Sequence, residues 1–249
     1  MKKIAIFGDI HANLEALEAV LADAEREGCA SNLACLGDIV GYNADPGACV
    51  ERVRALGCPT VKGNHDYEAI STRDLLGMNP VATMALSWTR EHLSEDQKDW
   101  LKRLPYLKER IADLNDITIV HATMDRPMRW EYILNISDSS FSFEKQSTQL
   151  CFHGHTHVPR TFIKEPGSGK ILQIPDTEFT LEQGKLYFIN PGSVGQPRDG
   201  DWRASYAIYT PELSLIQIKR IEYDIRTTQE KIYAAGLPER LAERLAAGR

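Results

Sequence analysis

Five short segments of the chain carry carboxylate, amide and imidazole side chains, which are common ligands of divalent metals. In chain order they are Gly8-Asp9-Ile10-His11, Gly37-Asp38, Gly63-Asn64-His65-Asp66, His121 and Gly154-His155-Thr156-His157. Five of the seven histidines fall in these segments. Each segment lies at or just after a short apolar run, where a strand would deliver it to one end of a sheet. This arrangement predicts a site for two divalent metal ions.

The spacing of the segments predicts how their side chains share the two ions. Asp9 and His11 are two residues apart, so on an extended backbone their side chains leave the same face and can bind one ion. Asp38 can bridge both ions through its two oxygens, and Asn64 supplies a neutral amide oxygen. The imidazole nitrogens come from three further histidines, His121, His155 and His157.

The charge balance of such a site favours an anionic substrate. Asp9 and Asp38 contribute two negative charges against the four positive charges of two divalent ions, and the other expected ligands are neutral. About two positive charges therefore remain by formal counting. Phosphate esters fit, because paired ions about 3.5–4 Å apart stabilise both the attacking and the leaving oxygens of phosphoryl transfer.

Strand and helix patterns alternate over the first third of the chain. Short apolar runs predict strands at 2–7, 32–36 and 59–62. Asn13 and Asp45 are typical N-caps, for helices that Gly28 and Gly57 would end. This order predicts a parallel, right-handed βαβαβ unit. Ligands of such sheets bind at the carboxyl ends of the strands, where the polar segments stand.

The rest of the chain predicts a second sheet and more helices. The stretch 68–105 is helical and amphipathic, and we interpret it as an inserted helical pair or lid beside the site. Strands are then predicted as a hairpin of 107–114 and 117–121, and near 149–153, 160–165, 171–174, 186–190, 205–210 and 213–219. The tail, 222–249, is helical and broken at Gly236-Leu237-Pro238. We expect a single mixed α/β domain, 1–249, of two sheets packed face to face with helices outside.

The composition excludes several classes of partner. A formal net charge of -6 leaves no basic footprint for general nucleic-acid binding. No apolar stretch approaches the roughly 20 residues of a membrane helix. The five cysteines are scattered without a CxxC pair, which is typical of reduced residues in a cytoplasmic protein. The oligomeric state is not indicated.

The polar segments, taken in this order, resemble the signature of the calcineurin-like metallophosphoesterase superfamily. That signature is D-x-H, G-D, G-N-H followed by D or E, a lone H, and G-H-x-H, and the match runs from residue 4 to about 209. Phe7 to Asn13 and Asn190-Pro191-Gly192-Ser193 resemble its small bacterial and archaeal phosphodiesterase-like branch. The resemblance implies a four-layer α-β-β-α sandwich and hydrolysis of small phosphodiesters or phosphomonoesters.

The resemblance also implies a role for each residue of the segments. Asp38 would bridge the two ions. The first ion would be held by Asp9, His11 and His157, and the second by Asn64, His121 and His155. A metal-bound hydroxide would attack phosphorus, while His65 stabilises the transition state or protonates the leaving oxygen and Asp66 orients His65. Manganese is the first candidate metal, with iron, nickel, cobalt and zinc as alternatives.

Three rival functions share parts of this pattern. Protein serine/threonine phosphatases and dinucleotide polyphosphate hydrolases of the superfamily typically carry G-D-x-H-G, G-D-x-V-D-R-G and G-N-H-E. This chain instead has Ala12, Gly41-Tyr42 and Asp66 at the differing positions. A nuclease is disfavoured by the acidic charge. A non-catalytic scaffold, such as the retromer subunit of this fold, is disfavoured because every expected ligand and His65 are present.

Several other polar or aromatic residues have two interpretations. Arg198 and Arg203 fit either a substrate phosphate or solvent, and Trp130 fits either the pocket or the core. The structural interpretation is favoured for four more, as a packed strand histidine, a surface histidine and two turn residues: His153, His92, Asn190 and Ser193.

Overall fold

Alternating side chains of strand β1 (Ile4–Phe7) belong to two different cores. The computed structural model describes residues 1–73, 75, 79–111 and 117–249. In it, Ile4 and Ile6 pack against a second sheet, whereas Ala5 and Phe7 pack against helices. All four side chains are buried. Since successive side chains of a strand point to opposite faces, β1 must lie between two apolar layers.

The first sheet places β1 beside the second strand of the chain. Its strand order is β2 (Leu33–Cys35), β1, β10 (Ala204–Thr210), β11 (Leu215–Ile221) and β8 (Glu178–Thr180). The β1–β2 pair is parallel, with Ile6 opposite Ala34. The other pairs are antiparallel, with Ile6 opposite Ala207 across β1 and β10. The carboxyl ends of β1 and β2 therefore lie at the same edge.

The second sheet also has parallel strands, and ligand segments follow their carboxyl ends too. Its strand order is β3 (Leu107–Lys108), β4 (Ile117–Val120), β5 (Leu150–Phe152), β9 (Leu186–Asn190), β6 (Arg160–Lys164) and β7 (Ile171–Ile174). Within it β4, β5 and β9 run parallel. Ile119, Phe152 and Ile189 share an apolar cluster with Ile4 and Ile6, so the two sheets pack face to face.

Helices cover the outer face of each sheet. Helices α1 (Leu14–Arg26) and α2 (Pro46–Leu56) pack on the first sheet, and α6 (Ile136–Lys145) on the second. Helix α1 forms where the sequence predicts it, because the Asn13 side chain accepts a hydrogen bond from the N–H of Ala16 at 3.1 Å. The layers are α-β-β-α, so the predicted mixed α/β sandwich is confirmed.

The remaining helices pack against one another and against α1 and α2. They are α3 (Asn64–Ile70), α4 (Pro80–His92), α5 (Glu95–Arg103), α7 (Ile225–Ala234) and α8 (Glu239–Ala246), with 3₁₀ turns at Pro127–Arg129 and Pro211–Leu213. Helices are thus present in the stretch 68–105 and in the tail. Among the described residues, no helix has the length and apolar character needed to cross a bilayer.

Three details differ from the sequence prediction. The strand expected at 59–62 is wrong: only a single bridge joins Thr60 to Cys35, because Pro59 has no N–H to donate and α3 begins at Asn64. Helix α6 and strand β8 were not predicted. Part of the expected hairpin, residues 112–116, lies outside the described residues, although β3 and β4 pair as expected.

The carboxylate of Glu27 ties the end of α1 to the first sheet. It accepts hydrogen bonds from Lys3 at 2.6 Å and Lys219 at 2.9 Å, which lower its pKa to about 2. A depressed carboxyl pKa adds stability above the ordinary pKa of 4.5, and this stability is lost as the pH falls towards 2.

We therefore expect Glu27→Gln to lower the free energy of unfolding by about 1 kcal/mol at pH 7. The difference from wild type should shrink as the pH drops from 5 to 3, in urea titrations at each pH. Glu25→Gln, on the exposed face of the same helix, is the matched control. A difference that stays constant with pH would contradict this role of Glu27.

Candidate metal centre

Both sheets deliver ligand segments to one edge. Asp9 and His11 follow β1, Asp38 follows β2, and His121 follows β4 directly. His155 and His157 come three and five residues after the end of β5, and Asn64 is the first residue of α3. All the predicted ligands except Asn64 therefore follow strands of the two sheets, and the sandwich brings them together.

The side chains form two adjoining groups that share Asp38. One group is Asp9, His11, Asp38 and His157, and the other is Asp38, His121 and His155. Within each group the candidate ligand atoms all lie within 4.8 Å of one another. Every member is buried, with at most 5% of its surface exposed. Such spacing around a shared carboxylate fits two metal ions.

A single oxygen of Asp38 faces both groups. Its Oδ2 lies 3.6 Å from Nε2 of His11 and 3.3 Å from Nε2 of His121. Its Oδ1 accepts the backbone N–H of His65 at 2.8 Å. The sequence predicted bridging through both oxygens, whereas the hydrogen bond to His65 leaves Oδ2 as the oxygen between the groups.

Four histidines are each fixed by a hydrogen bond to a backbone carbonyl. Nδ1 of His11, His121 and His157 lies 3.2, 2.8 and 2.7 Å from the carbonyl oxygens of Val40, Leu36 and Gln196, respectively. For His155, Nε2 lies 2.8 Å from the carbonyl oxygen of Trp130. Because a carbonyl only accepts, each of these nitrogens must carry a proton. The opposite nitrogen of each ring is then left for a metal, as in many metal sites.

The closest pair of these rings shows why a cation fits the centre. Nε2 of His11 and Nε2 of His157 lie 3.0 Å apart, and each ring already uses Nδ1 as its donor. Two lone pairs at this distance repel unless positive charge lies between or beside them. Burial lowers the pKa of both rings well below the usual value, which disfavours a proton there. A divalent metal with nitrogen ligands satisfies both.

His121 and Asp38 carry the electrostatic link between the groups. Burial alone would lower the pKa of His121, but the Asp38 and Asp9 carboxylates outweigh it and raise the pKa to about 9. Burial likewise opposes ionisation of Asp38, but His121 and His65 hold its pKa well below the usual range. Nε2 of His121 also lies 3.2 Å from Oδ1 of Asn64, which places the amide oxygen in the second group.

The backbone at the ligands differs from the sequence prediction. Five of the seven predicted ligands have left-handed φ angles, between 49° and 69°: Asp9, His11, Asp38, His155 and His157. Asp9 and His11 therefore do not stand on an extended strand, and they converge because the chain turns sharply after Phe7. Non-glycine residues in this region cost about 1–2 kcal/mol each, and such strain concentrates at functional sites.

His65 and Asp66 directly follow Asn64 in the chain, but they do not form the carboxylate–imidazole pair that the sequence predicted. Asp66 accepts backbone N–H groups of Ile39, Val40 and Gly63, at 2.8, 3.3 and 3.0 Å. Its carboxylate thus caps α3 and holds the loop after Asp38. The expected hydrogen bond from the His65 ring to the Asp66 carboxylate is not among those of the described residues, because both carboxylate oxygens accept backbone N–H groups instead.

The His65 ring lies beside the centre. Its Nδ1 is buried and has no hydrogen-bond partner among the described residues. The ring packs against His11 and Tyr42, with centroid distances of 4.7 and 4.4 Å. Gly41 has φ 91°, and a Cβ there would collide with Nδ1 of His65. Burial, more than any charged neighbour, lowers the pKa of His65 to about 4.

Comparisons with known proteins agree with this geometry. The model of the calcineurin-like phosphoesterase superfamily domain matches residues 1–213. The chain belongs to this superfamily. A solved metallophosphoesterase of Sphaerobacter thermophilus is 43% identical, with a TM-score of 0.86 over 100% of this chain and 99% of the other.

Two archaeal proteins extend the similarity. An uncharacterized protein of Methanocaldococcus jannaschii is 40% identical over 247 residues, which cover 99% of this chain and 98% of the relative. A hypothetical protein of Pyrococcus horikoshii, 20% identical, has a TM-score of 0.80 over 100% of this chain and 99% of its own. The last similarity shows the fold alone.

In this calcineurin-like protein the turn residues Asn190 and Ser193 form hydrogen bonds to the loops that carry the ligands. Nδ2 of Asn190 donates to the carbonyl of Gly154 at 2.7 Å and to Oγ1 of Thr156 at 3.0 Å, within the G-H-T-H segment. Oγ of Ser193 donates to the carbonyl of Asp9 at 2.8 Å. Both residues therefore hold ligand loops, which agrees with the structural interpretation of these turn residues.

The other undecided residues separate into near and distant ones. His153 is buried and stacked on Phe188, His92 is exposed, and Arg203 is paired with Asp201. Arg198 and Trp130 lie near the centre. The carbonyl of Trp130 fixes His155, as described above, and its ring lies edge-on to His121 at a centroid distance of 5.8 Å.

Sequence reasoning missed two tyrosines at the centre. Tyr42 packs on His11 at 4.7 Å, and Tyr132 stacks on His155 at 4.2 Å. Tyr42 directly follows Gly41, where the sequence departs from the phosphatase pattern, and this departure was the only signal. Tyr132 follows no motif, so only the fold reveals it.

Because one oxygen of Asp38 faces both ligand groups, a change at Asp38 should impair metal binding. Asp38→Asn keeps the size of the side chain and an oxygen for the N–H of His65, but removes the charge between the two groups. We expect it to lower the metal content at least tenfold, measured by elemental analysis after dialysis.

Asp23→Asn is the matched control, since Asp23 is a carboxylate that accepts the hydroxyl of Tyr206 away from the centre. It should keep the metal content of wild type. Wild-type metal content in the Asp38 variant would rule out the bridging role.

Proposed function

We propose that this protein is a phosphoesterase that uses two divalent ions to hydrolyse small phosphodiesters or phosphomonoesters. The observation that carries the proposal is the oxygen of Asp38 that faces two buried ligand groups at once. Membership of a family of metal-dependent phosphoesterases supports it.

The donor set fits two cations of the kind that transition-metal hydrolases bind. Asp9, His11 and His157 would hold one ion, Asn64, His121 and His155 the other, and Asp38 both. When bound, two such ions supply positive charge for the phosphoryl oxygens and lower the pKa of bound water. Manganese remains the first candidate, since mixed carboxylate, amide and imidazole ligands suit it and its neighbours iron, cobalt, nickel and zinc.

His65 would act on the substrate directly. Its ring nitrogens form no hydrogen bonds with the described residues, although the ring is buried beside His11. A neutral imidazole in this position can donate one N–H to a phosphoryl oxygen or to the leaving oxygen. Asp66 would contribute indirectly, because it positions the loops on both sides of Asp38.

The cavity beside the centre favours a small substrate over a protein. Its volume is about 550 Å³, and Tyr42 and Tyr132, which pack on the ligand histidines, form part of its wall. Volumes of 300–1,000 Å³ are typical of small-molecule sites. Residues Asn79, Val81 and Ala82, at the start of α4, also line it, so the predicted helical insertion contributes to substrate binding.

A cytoplasmic location is part of the same proposal. The five cysteines are free, and four of them are buried, which suits a reducing compartment.

The role of His65 is tested by His65→Gln in the metal-loaded protein. We expect kcat for p-nitrophenyl phosphate or bis-p-nitrophenyl phosphate, whichever is turned over faster, to fall about 100-fold or more, because one positioned proton donor contributes this much. Metal content should stay at the wild-type level, since His65 belongs to neither ligand group.

His92→Gln, which changes an exposed histidine, is the matched control and should leave kcat unchanged. Full turnover in the His65 variant would remove its catalytic role. A wild-type protein that binds no divalent metal and hydrolyses neither ester would favour the non-catalytic scaffold instead.

A further inference from the structure

The cavity beside the metal centre has an arginine-rich wall. Arg198, Arg240 and Arg244, together called the arginine pocket, line it with Tyr42 and Tyr132. The tyrosines contact His11 and His155, so the cavity adjoins both ligand groups. A molecule in it could reach the metal centre and the arginine pocket at the same time.

Arg203 pairs with Asp201 and Arg52 with Glu18, whereas no carboxylate side chain of the described residues forms an ion pair with any member of the arginine pocket. Arg244 donates instead to a backbone oxygen of Arg249, which also lines the cavity. Glu243 also lines the cavity, but it forms no ion pair with the three arginines. A concentration of positive charge in a protein of net charge -6 points to an anionic ligand.

The Tyr42 ring lies near two of the guanidinium groups. The Cζ atoms of Arg198 and Arg244 lie 5.7 and 6.0 Å from the centre of its ring. Nη2 of Arg198 donates to Oε1 of Gln196 at 2.9 Å, and its Nε is buried with no hydrogen-bond partner in the described part of the chain. Burial, followed by the charges of Arg198 and Arg240, lowers the pKa of Arg244. The charges of the three arginines repel one another, and a bound anion would relieve the repulsion.

Helix α8 supplies Arg240 and Arg244 and is firmly anchored. Its buried residues Leu241, Ala242 and Leu245 pack against Ile232 of α7 and Ala85 of α4. Nε of Arg244 also donates to a backbone oxygen of Arg249, the last residue of the sequence. This helix lies beyond residue 213, where the match to the family domain ends. The family domain therefore supplies the metal ligands, and the added helix supplies two cations of the adjoining wall.

We propose that the arginine pocket binds a second phosphate group of the substrate, distinct from the one that is hydrolysed. The substrate class is then a small phosphate ester with at least two phosphates. The inference rests on the proposed function for the hydrolysed group. A guanidinium group can form two parallel hydrogen bonds to the oxygens of a phosphate. Several guanidinium groups together match the double negative charge of a phosphate better than the single charge of a carboxylate.

Equilibrium dialysis with radiolabelled inorganic phosphate tests the pocket without requiring turnover. The metal-loaded wild type should bind two phosphates per chain, one at the metal centre and one in the arginine pocket. The double variant Arg240→Gln/Arg244→Gln should bind one, and Asp38→Asn, which loses the metals, should also bind one. Arg226→Gln, which removes an exposed arginine of α7, is the matched control and should bind two.

The outcomes separate the pocket from the proposed function. The assignment of the arginine pocket is overturned if the double variant still binds two phosphates. It is also overturned if the wild type binds only one phosphate and Asp38→Asn binds none. If the wild type binds one phosphate, the double variant none and Asp38→Asn one, the pocket is supported but the proposed metal site is contradicted.

A matched substrate pair tests the link to catalysis. Thymidine 5′-p-nitrophenyl phosphate and its 3′-phosphorylated form share the reacting group and differ by one phosphate. We expect the second phosphate to raise kcat/KM about 10-fold or more, the gain typical of charge-assisted hydrogen bonds, and Arg240→Gln or Arg244→Gln to abolish most of this ratio. A wild-type ratio near one, or a ratio unchanged in both variants, would refute the second-phosphate assignment.

Discussion

Unprotonated imidazole nitrogens that converge on buried carboxylates are the constraint on which the rest of the site depends. Four backbone carbonyls each accept a hydrogen bond from one nitrogen of a ligand histidine, and this fixes which nitrogen of the ring is left to bind a metal. They are the carbonyls of Leu36, Val40, Trp130 and Gln196. The lone pairs that remain on Nε2 of His11 and Nε2 of His157 meet at 3.0 Å and require positive charge. This electrostatic need, more than any single motif, supports the proposal that the centre binds two cations.

The two-sheet fold stabilises the unfavourable backbone conformations that bring the ligands together. Left-handed backbone at Asp9, His11 and Asp38 is unfavourable, yet the N–H of Asp9 donates to the carbonyl of Gly37 and that of His11 to the carbonyl of Asp38. Such bonds run between the loops after β1 and β2, so each strained turn holds the other. The two sheets need to be rigid and face to face, because the ligand groups draw on both.

The sequence allowed the ligands and the layers to be predicted, but not the geometry between them. Apolar runs and helix caps indicate β1, α1 and β2 locally, and the polar segments after them follow from strand ends. The role of Asp66 could not be foreseen, because a carboxylate beside a histidine resembles an orienting pair until its backbone partners are known. Tyr132 reaches the centre, and Arg244 the adjoining cavity, only through tertiary packing, which leaves no local pattern in the sequence.

The most direct measurement of the central claim is anomalous X-ray scattering from crystals of the full chain grown with manganese. We expect two anomalous peaks per chain, one among Asp9, His11 and His157 and one among Asn64, His121 and His155, with Oδ2 of Asp38 between them. A single peak, or two peaks that lie away from Asp38, would contradict the claim that this carboxylate joins two metal sites.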